Sequence, residues 1–303
     1  MSWELLRWVW RLEAPIHVGM PPSGSLNRCR LYVPARTLWG ALTAELARRA
    51  GNDFPSYAGV GQAIRGDARL TYLYPAEESS GQWRAWLPRY EPGQGLVWQR
   101  EDDGNGQVLP DRVMRSRLLV TRPGTAIDPV SDAAAEGSLR ETECIGQYWR
   151  TPTGDVKPVG LVGYLLVREG SLIQGALLEI RELFLGGDTR YGLGRVRRVA
   201  LQPTSQVFGI VPELDGADAW LTTERVLAHA HASAPEEAAI LSGDLEALAW
   251  WDEGQLRAAP GARPCWRPGS VAPRPARWRI EESGLWRYVV DGEPAEIAEE
   301  GIG

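Results

Sequence analysis

Between residues 2 and 14 the chain alternates, with Leu6, Trp8, Trp10 and Leu12 on one side and Leu5, Arg7, Val9 and Arg11 on the other. A period of two is the mark of a strand with a buried face. A stretch rich in Gly and Pro follows over 15–27, and residues 30–33 return to extended character before Pro34. The period then changes. Leu38, Leu42 and Leu46 recur every four positions, Arg48 and Arg49 close the run and Gly51 follows, so a helix is expected over 37–50. Further strands are expected at 69–74 and 83–87, each bounded by a proline, with a polar loop tip at 101–106. The alternation at 113–121 reads as another strand, and 122–143 as a long irregular arm. Residues 161–168 form an apolar strand. Ser171 then caps an expected helix whose Leu172, Ala176, Ile180 and Leu183 share a face and which ends at Gly186 and Gly187, with a strand at 195–201 beyond.

This order of strands and helices predicts an α+β protein of ferredoxin-like (RRM-like) type, in one or two copies, rather than a doubly wound parallel sheet. The expected division is a core over 1–200, with an arm inserted at about 101–150, and a C-terminal extension or degenerate second unit over 201–303. Two further helices are expected in the acidic segment 213–253, around His229 and Leu245. That segment is most simply a solvated face or a surface for a basic partner. Trp250 and Trp251, set among these acids, and Trp278 and Trp286 further on read as core or interface residues rather than base-stacking ones.

Charge changes the picture in one respect. The 303 residues carry 33 basic and 39 acidic side chains, net -6, yet Lys157 is the single lysine. An acidic balance argues against a protein that coats nucleic acid through bulk charge. It leaves room for a local groove, because arginine is concentrated: seven against three acids in the first fifty residues, and five against two over 181–200. The segment 213–253 supplies a net -9, and 263–287 a net +4. Three widely spaced cysteines, Cys29, Cys144 and Cys265, form neither a disulfide framework nor a zinc motif. No cofactor is expected, no run of residues is long and apolar enough for a membrane span, and a reducing cytoplasm is the expected compartment.

The sharpest local signal lies at 186–194, where Gly186, Gly187, Gly192 and Gly194 surround Arg190 and Tyr191 and lead into Arg195 and Arg197. A nucleotide cradle runs from strand through glycines to a helix N-terminus; here a strand follows the glycines, so a dinucleotide or NTP site is not expected. Glycines beside arginines and an aromatic instead suit the backbone of a single-stranded nucleic acid, although a helix cap and tight turn would account for the first two glycines.

At this loop the sequence resembles the RAMP superfamily, the repeat-associated proteins of CRISPR-Cas effector complexes. Residues 14–19 (APIHVG) resemble its apolar-His-apolar-Gly signature after the first strand, and 33–42 (VPARTLWGAL) its entry to the first helix. Residues 122–145 are similar to the hairpin or thumb arm of these subunits, and the likeness covers residues 1 to about 200. The resemblance implies a guide-RNA (crRNA) binding subunit of a type III complex, with backbone RAMP subunits and a large palm-domain subunit as partners and target RNA met only indirectly. It implies RNA contacts at the glycine-rich loop, at His17 and Arg36, and along the arm from Arg122. The aspartate that backbone subunits aim at the scissile phosphate is missing, since 20–30 holds no acid. Residues 69–88, with YLYP and a later WLP, and the hundred residues after the loop look like the subunit that caps the guide's 5′ handle. A non-catalytic role is therefore expected. The alternatives are a backbone subunit, an endoribonuclease using His17, and a protein-interaction subunit with little RNA contact.

Overall fold

Residues 2–50, 57–101, 108–151, 154–216, 218–232, 241–252, 255–258 and 264–289 are described by the computed structural model, 249–252 and 255–258 as backbone only. In the first half the chain runs through β1 (Trp3–Leu12), β2 (Leu26–Asn27), α1 (Ala35–Ala50), α2 (Tyr57–Asp67), β3 (Ala68–Leu70), β4 (Tyr74–Ser79), β5 (Gln82–Glu91), β6 (Gly95–Arg100) and β7 (Val108–Pro110). Then come α3 (Asp111–Leu118), β8 (Leu119–Gly124), β9 (Ile127–Asp128), β10 (Ala133–Ala134), β11 (Arg140–Ile145), β12 (Tyr148–Arg150), β13 (Val156–Arg168), α4 (Gln174–Glu179), β14 (Glu182–Phe184) and β15 (Arg195–Pro203). The second half holds β16 (Glu213–Asp215), β17 (Asp218–Arg225), β18 (Ala230–His231), β19 (Leu245–Glu246), β20 (Ala249–Asp252), β21 (Gln255–Ala258), β22 (Cys265–Trp266), β23 (Val271–Ile280) and β24 (Trp286–Tyr288).

The principal sheet is antiparallel, in the order β14-β15-β1-β13-β4-β5-β6-β7, with β3 and β12 also paired to β13. Its centre, β15-β1-β13 with β3 and β4, together with α1 and α4, is compatible with a ferredoxin-like arrangement. β1 buries Leu6, Trp8, Trp10 and Leu12, as its alternation requires. Its other face is covered too. Arg7 Nη2 donates to the Trp83 carbonyl at 2.7 Å and to Glu101 Oε1 at 2.8 Å, so Leu5 and Val9 are buried beneath. β13 is apolar almost throughout because it lies between neighbours with both faces covered. α1 starts where Pro34 cannot extend it backwards, and the Thr37 and Leu38 N–H groups donate to the Pro34 carbonyl at 3.0 and 3.2 Å.

Four expectations are corrected. Residues 111–118 are helix, not strand, because Met114 and Leu118 recur one turn apart and are the buried pair. The second long helix is only α4, and its buried face is Ile173, Leu177 and Ile180; Leu172 is 96% exposed. Leu183 belongs to β14, which pairs with β15, so Gly186 and Gly187 follow a strand and cap no helix. His229 and Leu245 lie in or beside short strands: Ala230 pairs with Trp266 and Trp286, and Leu245 with Trp266. The expected loop tip at 101–106 falls, after Glu101, outside the described residues.

The arm is the β8–β11 hairpin with β9 and β10 near its end, and β2 pairs with β11 in parallel at its base. The second large sheet, β16-β17-β23-β24-β18-β22-β19, buries Trp278 and Trp286 as core residues. Its acids meet this chain's own arginines: Arg277 pairs with Glu213 at 2.8 Å, Arg279 with Asp218 at 4.0 Å and Arg267 with Asp244 at 3.2 Å. Trp250 and Trp251 lie on β20, where side chains are not described. Among the described residues, no helix is long and apolar enough to cross a membrane.

The two sheets are locked at the start of α1. Gly284 has φ +78°, and a Cβ there would stand 2.1 Å from Ala35 Cβ. Gly284→Ala is expected to lower stability by about 2–4 kcal/mol, from the left-handed backbone and from overpacking together. Urea denaturation monitored by tryptophan fluorescence measures it, and a loss below 1 kcal/mol (a tenth or so of ordinary stability) would mean the turn gives way freely.

Candidate nucleic-acid interface

The segment 15–18 is the spine of the site. On one side Ile16 exchanges backbone hydrogen bonds with Ile145 of the arm, at 3.0 and 2.8 Å. Elsewhere along it the Gly187 N–H donates to the His17 carbonyl at 2.9 Å and the Gly194 N–H to the Pro15 carbonyl at 2.8 Å. The glycine-rich loop is thereby stitched to the chain itself. Gly186 has φ +83°, and a Cβ there would lie 2.2 Å from the His17 carbonyl oxygen; Gly194 has φ +86°, with a Cβ 2.3 Å from the Leu185 carbonyl oxygen. These two glycines permit backbone to approach backbone. Gly192 has φ +81° and open space around it, so only its turn geometry favours glycine. Packing therefore explains Gly186 and Gly194, and turn geometry Gly192, without a ligand, while a Cβ at Gly187 would meet only ordinary contacts at 3.4 Å and beyond.

A pocket of about 360 Å³ opens beside this spine, lined by His17, Arg30, Arg36, Gly186 and Gly187 among others. It brings together four of the residues singled out from sequence and adds Arg30. His17 Nδ1 donates to the Glu143 carbonyl at 2.7 Å, which fixes the ring and leaves Nε2 for other partners. Arg36 stands in the first turn of α1 with its guanidinium 5.3 Å from the Trp39 ring centre. Arg30 Nε donates to the Gly19 carbonyl at 3.2 Å. The remaining expected residues are dispersed. Arg190, Tyr191 and Gly192 are exposed on the outer turn of the loop, where the guanidinium of Arg140 from the arm lies 5.2 Å from the Tyr191 ring centre. Arg195 pairs with Glu182 at 2.8 Å, and Arg197 approaches Glu13 at 3.9 Å. Arg122 is on the arm, in a separate groove.

Beneath the pocket is a buried polar network that joins the two sheets, and sequence gave no sign of it. His229 is fully buried; Tyr72 donates to its Nδ1 at 2.7 Å, and its Nε2 donates to Glu246 Oε1 at 2.8 Å. Arg30 Nη1 lies 2.6 Å from the same carboxylate oxygen, and Arg267 Nε lies 3.4 Å from Oε2. Burial alone would raise Glu246, but the His229 hydrogen bond and the charges of Arg30 and Arg267 hold its carboxyl down to about 2. Burial lowers His229 against the pull of Glu246, and the two arginines already neutralise that carboxylate, so the imidazole is neutral with its proton on Nε2. Both ring nitrogens are thus committed.

The thiols offer no chemistry here, since burial pushes Cys29 up to about 12 and Cys144 and Cys265 to about 11.

No protein-family model matches the chain. No curated protein matches it either. Solved structures do. A chain of the type III-B Cmr-beta complex bound to cognate target RNA and AMPPnP aligns over 88% of this chain and 85% of its own length, at 11% identity and a TM-score of 0.52. A chain of Cmr-beta bound to cognate target RNA aligns over 64% of this chain and 96% of its own, at 12% identity and TM-score 0.41. Oligomeric Cmr4 from Pyrococcus furiosus aligns over 67% and 100%, at 12% and 0.33. An alignment over 88% of the chain needs more than the first two hundred residues, so the shared fold extends past the part in which sequence motifs were legible. The chain thus shares its fold with a chain of the type III-B Cmr-beta complex.

Proposed function

We propose that this chain is a guide-RNA-binding subunit of a type III CRISPR ribonucleoprotein, non-catalytic, and placed at the 5′ handle of the guide. The observation that carries it is the convergence of His17, Arg36 and the Gly186–Gly187 backbone on one pocket, in whose wall Arg30 stands already paired with Glu246. Its volume of about 360 Å³ lies within the range of small-ligand sites and suits one nucleotide. Arginine forks match phosphate oxygens, and the first turn of α1 adds its positive end. RNA in the neighbouring Cmr-beta structures and the RAMP-like motifs support the same reading. On this reading the ferredoxin-like core spans residues 1–200, and the later strands form the extension expected of a capping subunit. Arg190 and Tyr191 extend the contact along the strand. Arg195 and Arg197, already paired with acids, contribute less.

The non-catalytic reading rests on proton bookkeeping. Cleavage by general acid and base needs two groups able to exchange protons beside the phosphate. His17 Nε2 is one; His229 is buried, neutral and doubly hydrogen-bonded. Incubating the purified chain with single-stranded repeat RNA tests this, and metal-independent cleavage lost in His17→Ala would replace it with the endoribonuclease reading. Binding is tested by fluorescence anisotropy on the same RNA. Arg36→Ala is expected to weaken it about tenfold and to reduce its salt slope by about 0.7. Unchanged affinity and slope would remove Arg36 from the interface.

A further inference from the structure

A second, wider cavity of about 650 Å³ opens two residues back along the same segment, at Pro15, between the arm and the β12–β13 pair. It is a consequence of alternation in β12. Trp149 turns into the core, where its Nε1 donates to the Ala76 carbonyl at 3.2 Å, and so Tyr148 and Arg150 on either side of it turn outward. Tyr148 is 55% exposed, and Val156, opposite Arg150, is 72% exposed. Across the groove Arg122 stands exposed on β8. Among the described residues neither Arg122 nor Arg150 has an ion-pair partner, whereas Arg195, Arg267 and Arg277 elsewhere all do. Gln147 lines the floor; its Nε2 donates to the Glu13 carbonyl, which leaves its side-chain oxygen as an acceptor.

These groups form a complete set for one nucleotide. Two guanidiniums, in excess over Asp155, the one acid of the lining, bind a phosphate, an exposed phenol ring gives a base a surface to stack on, and an amide oxygen accepts from a base edge or a 2′-hydroxyl. Tyrosine and arginine also suit a protein interface. The proximity decides between them: Pro15 lines this cavity and His17 the first, so a strand seated in one is led past the other. We infer that the groove at the base of the arm holds a further nucleotide of the single-stranded RNA, with its base on Tyr148 and a phosphate between Arg122 and Arg150. The identity of the strand rests on the reading above; the geometry of the groove does not.

The test is anisotropy with fluorescein-labelled single-stranded RNAs of about four and about sixteen nucleotides, which bracket the usual site sizes. Tyr148→Ala and the double variant Arg122→Ala/Arg150→Ala are expected to weaken the longer RNA about tenfold each and to leave the shorter unchanged, while Arg36→Ala weakens both. All three positions are at the surface, and thermal melting verifies that the variants fold. Wild-type affinity of the groove variants for both lengths overturns this inference and leaves the first-pocket reading standing. Loss in the groove variants at both lengths with Arg36→Ala silent does the reverse. If the groove variants bind RNA normally but fail to join other effector subunits, the groove is a protein interface and the inference falls. A wild-type chain that binds neither RNA overturns both.

Discussion

Gly186→Ala is expected to lower stability by about 3–5 kcal/mol, while Gly192→Ala in the same loop costs about 1 kcal/mol. Both glycines are left-handed, so the backbone strain is common to the pair. The difference is what surrounds them. At Gly186 the added carbon would stand 2.2 Å from the His17 carbonyl oxygen, a backbone atom that cannot rotate aside. To admit it, the loop must lift from segment 15–18 and give up the Gly187 N–H to His17 carbonyl bond, worth about 0.5–1.5 kcal/mol net. Gly192 has nothing within 4 Å. Urea denaturation of the two variants measures the contrast. Equal, small losses would show that the loop is not held against His17 in solution.

The second large effect is expected at Glu246. Its carboxylate serves His229, Arg30 and Arg267 at once, and Glu246→Gln leaves the buried Arg30 guanidinium with no anion at the seam between the sheets, while Arg267 keeps Asp244. Removing one member of a buried charge cluster costs about 3–5 kcal/mol, mostly through the charge left behind. Acid should expose the same contact. The folded carboxyl titrates near 2 against an ordinary value of 4.5, so its contribution is full above pH 4.5 and is lost as pH falls towards 2. His229 adds in the same direction. Held neutral below its ordinary 6.5, it takes up a proton more readily when unfolded, so its share of stability declines once pH drops below 6.5. The wild-type and Glu246→Gln stabilities should therefore converge as pH falls from 4.5 to 3. A gap that is constant over that range would mean Glu246 is not the shared anion.

What was legible in the sequence is what local pattern determines. β1, α1 and β13 follow from periods of two and near four and from an unbroken apolar run, because each buries its face against whatever lies next to it. The misread elements are those in which a distant partner decides. Residues 180–184 continue a helical spacing, but β15 offers Glu182, Leu183 and Phe184 a ladder of backbone hydrogen bonds, and the helix stops at Glu179. Val226 to Ala230 could line a helix, yet the Trp286 N–H donates to the His229 carbonyl and Ala230 pairs with Trp266, which holds the segment extended. At 111–118 the spacing of Met114 and Leu118 was available, and the apolar Leu118-Leu119-Val120 that follows obscured it.

The site divides in the same way. His17, Arg36, Gly186 and Gly187 belong to motifs near strand and helix ends, and the structure brings them together. Arg30 was hidden inside an extended stretch, and its significance depends on Glu246, more than two hundred positions away. The glycines were legible as a pattern but not in their cause, since only the folded chain shows which backbone each one lets in.

The pairing of acids and arginines within the second sheet has a kinetic consequence. Arg267, Arg277 and Arg279 are matched by Asp244, Glu213 and Asp218, so that sheet presents little net field at a distance. Arg122 and Arg140 on the arm, Arg150 on β12 and Arg190 on the loop have no ion-pair partner among the described residues. The arm itself, over 119–145, holds Asp128, Asp132, Glu136, Glu141 and Glu143 against Arg122 and Arg140, so it too presents no positive field at a distance, and its guanidiniums act on a polyanion already in contact. Ionic strength then acts chiefly on the lifetime of the complex, through the counterions exchanged at each phosphate contact, and much less on the association rate.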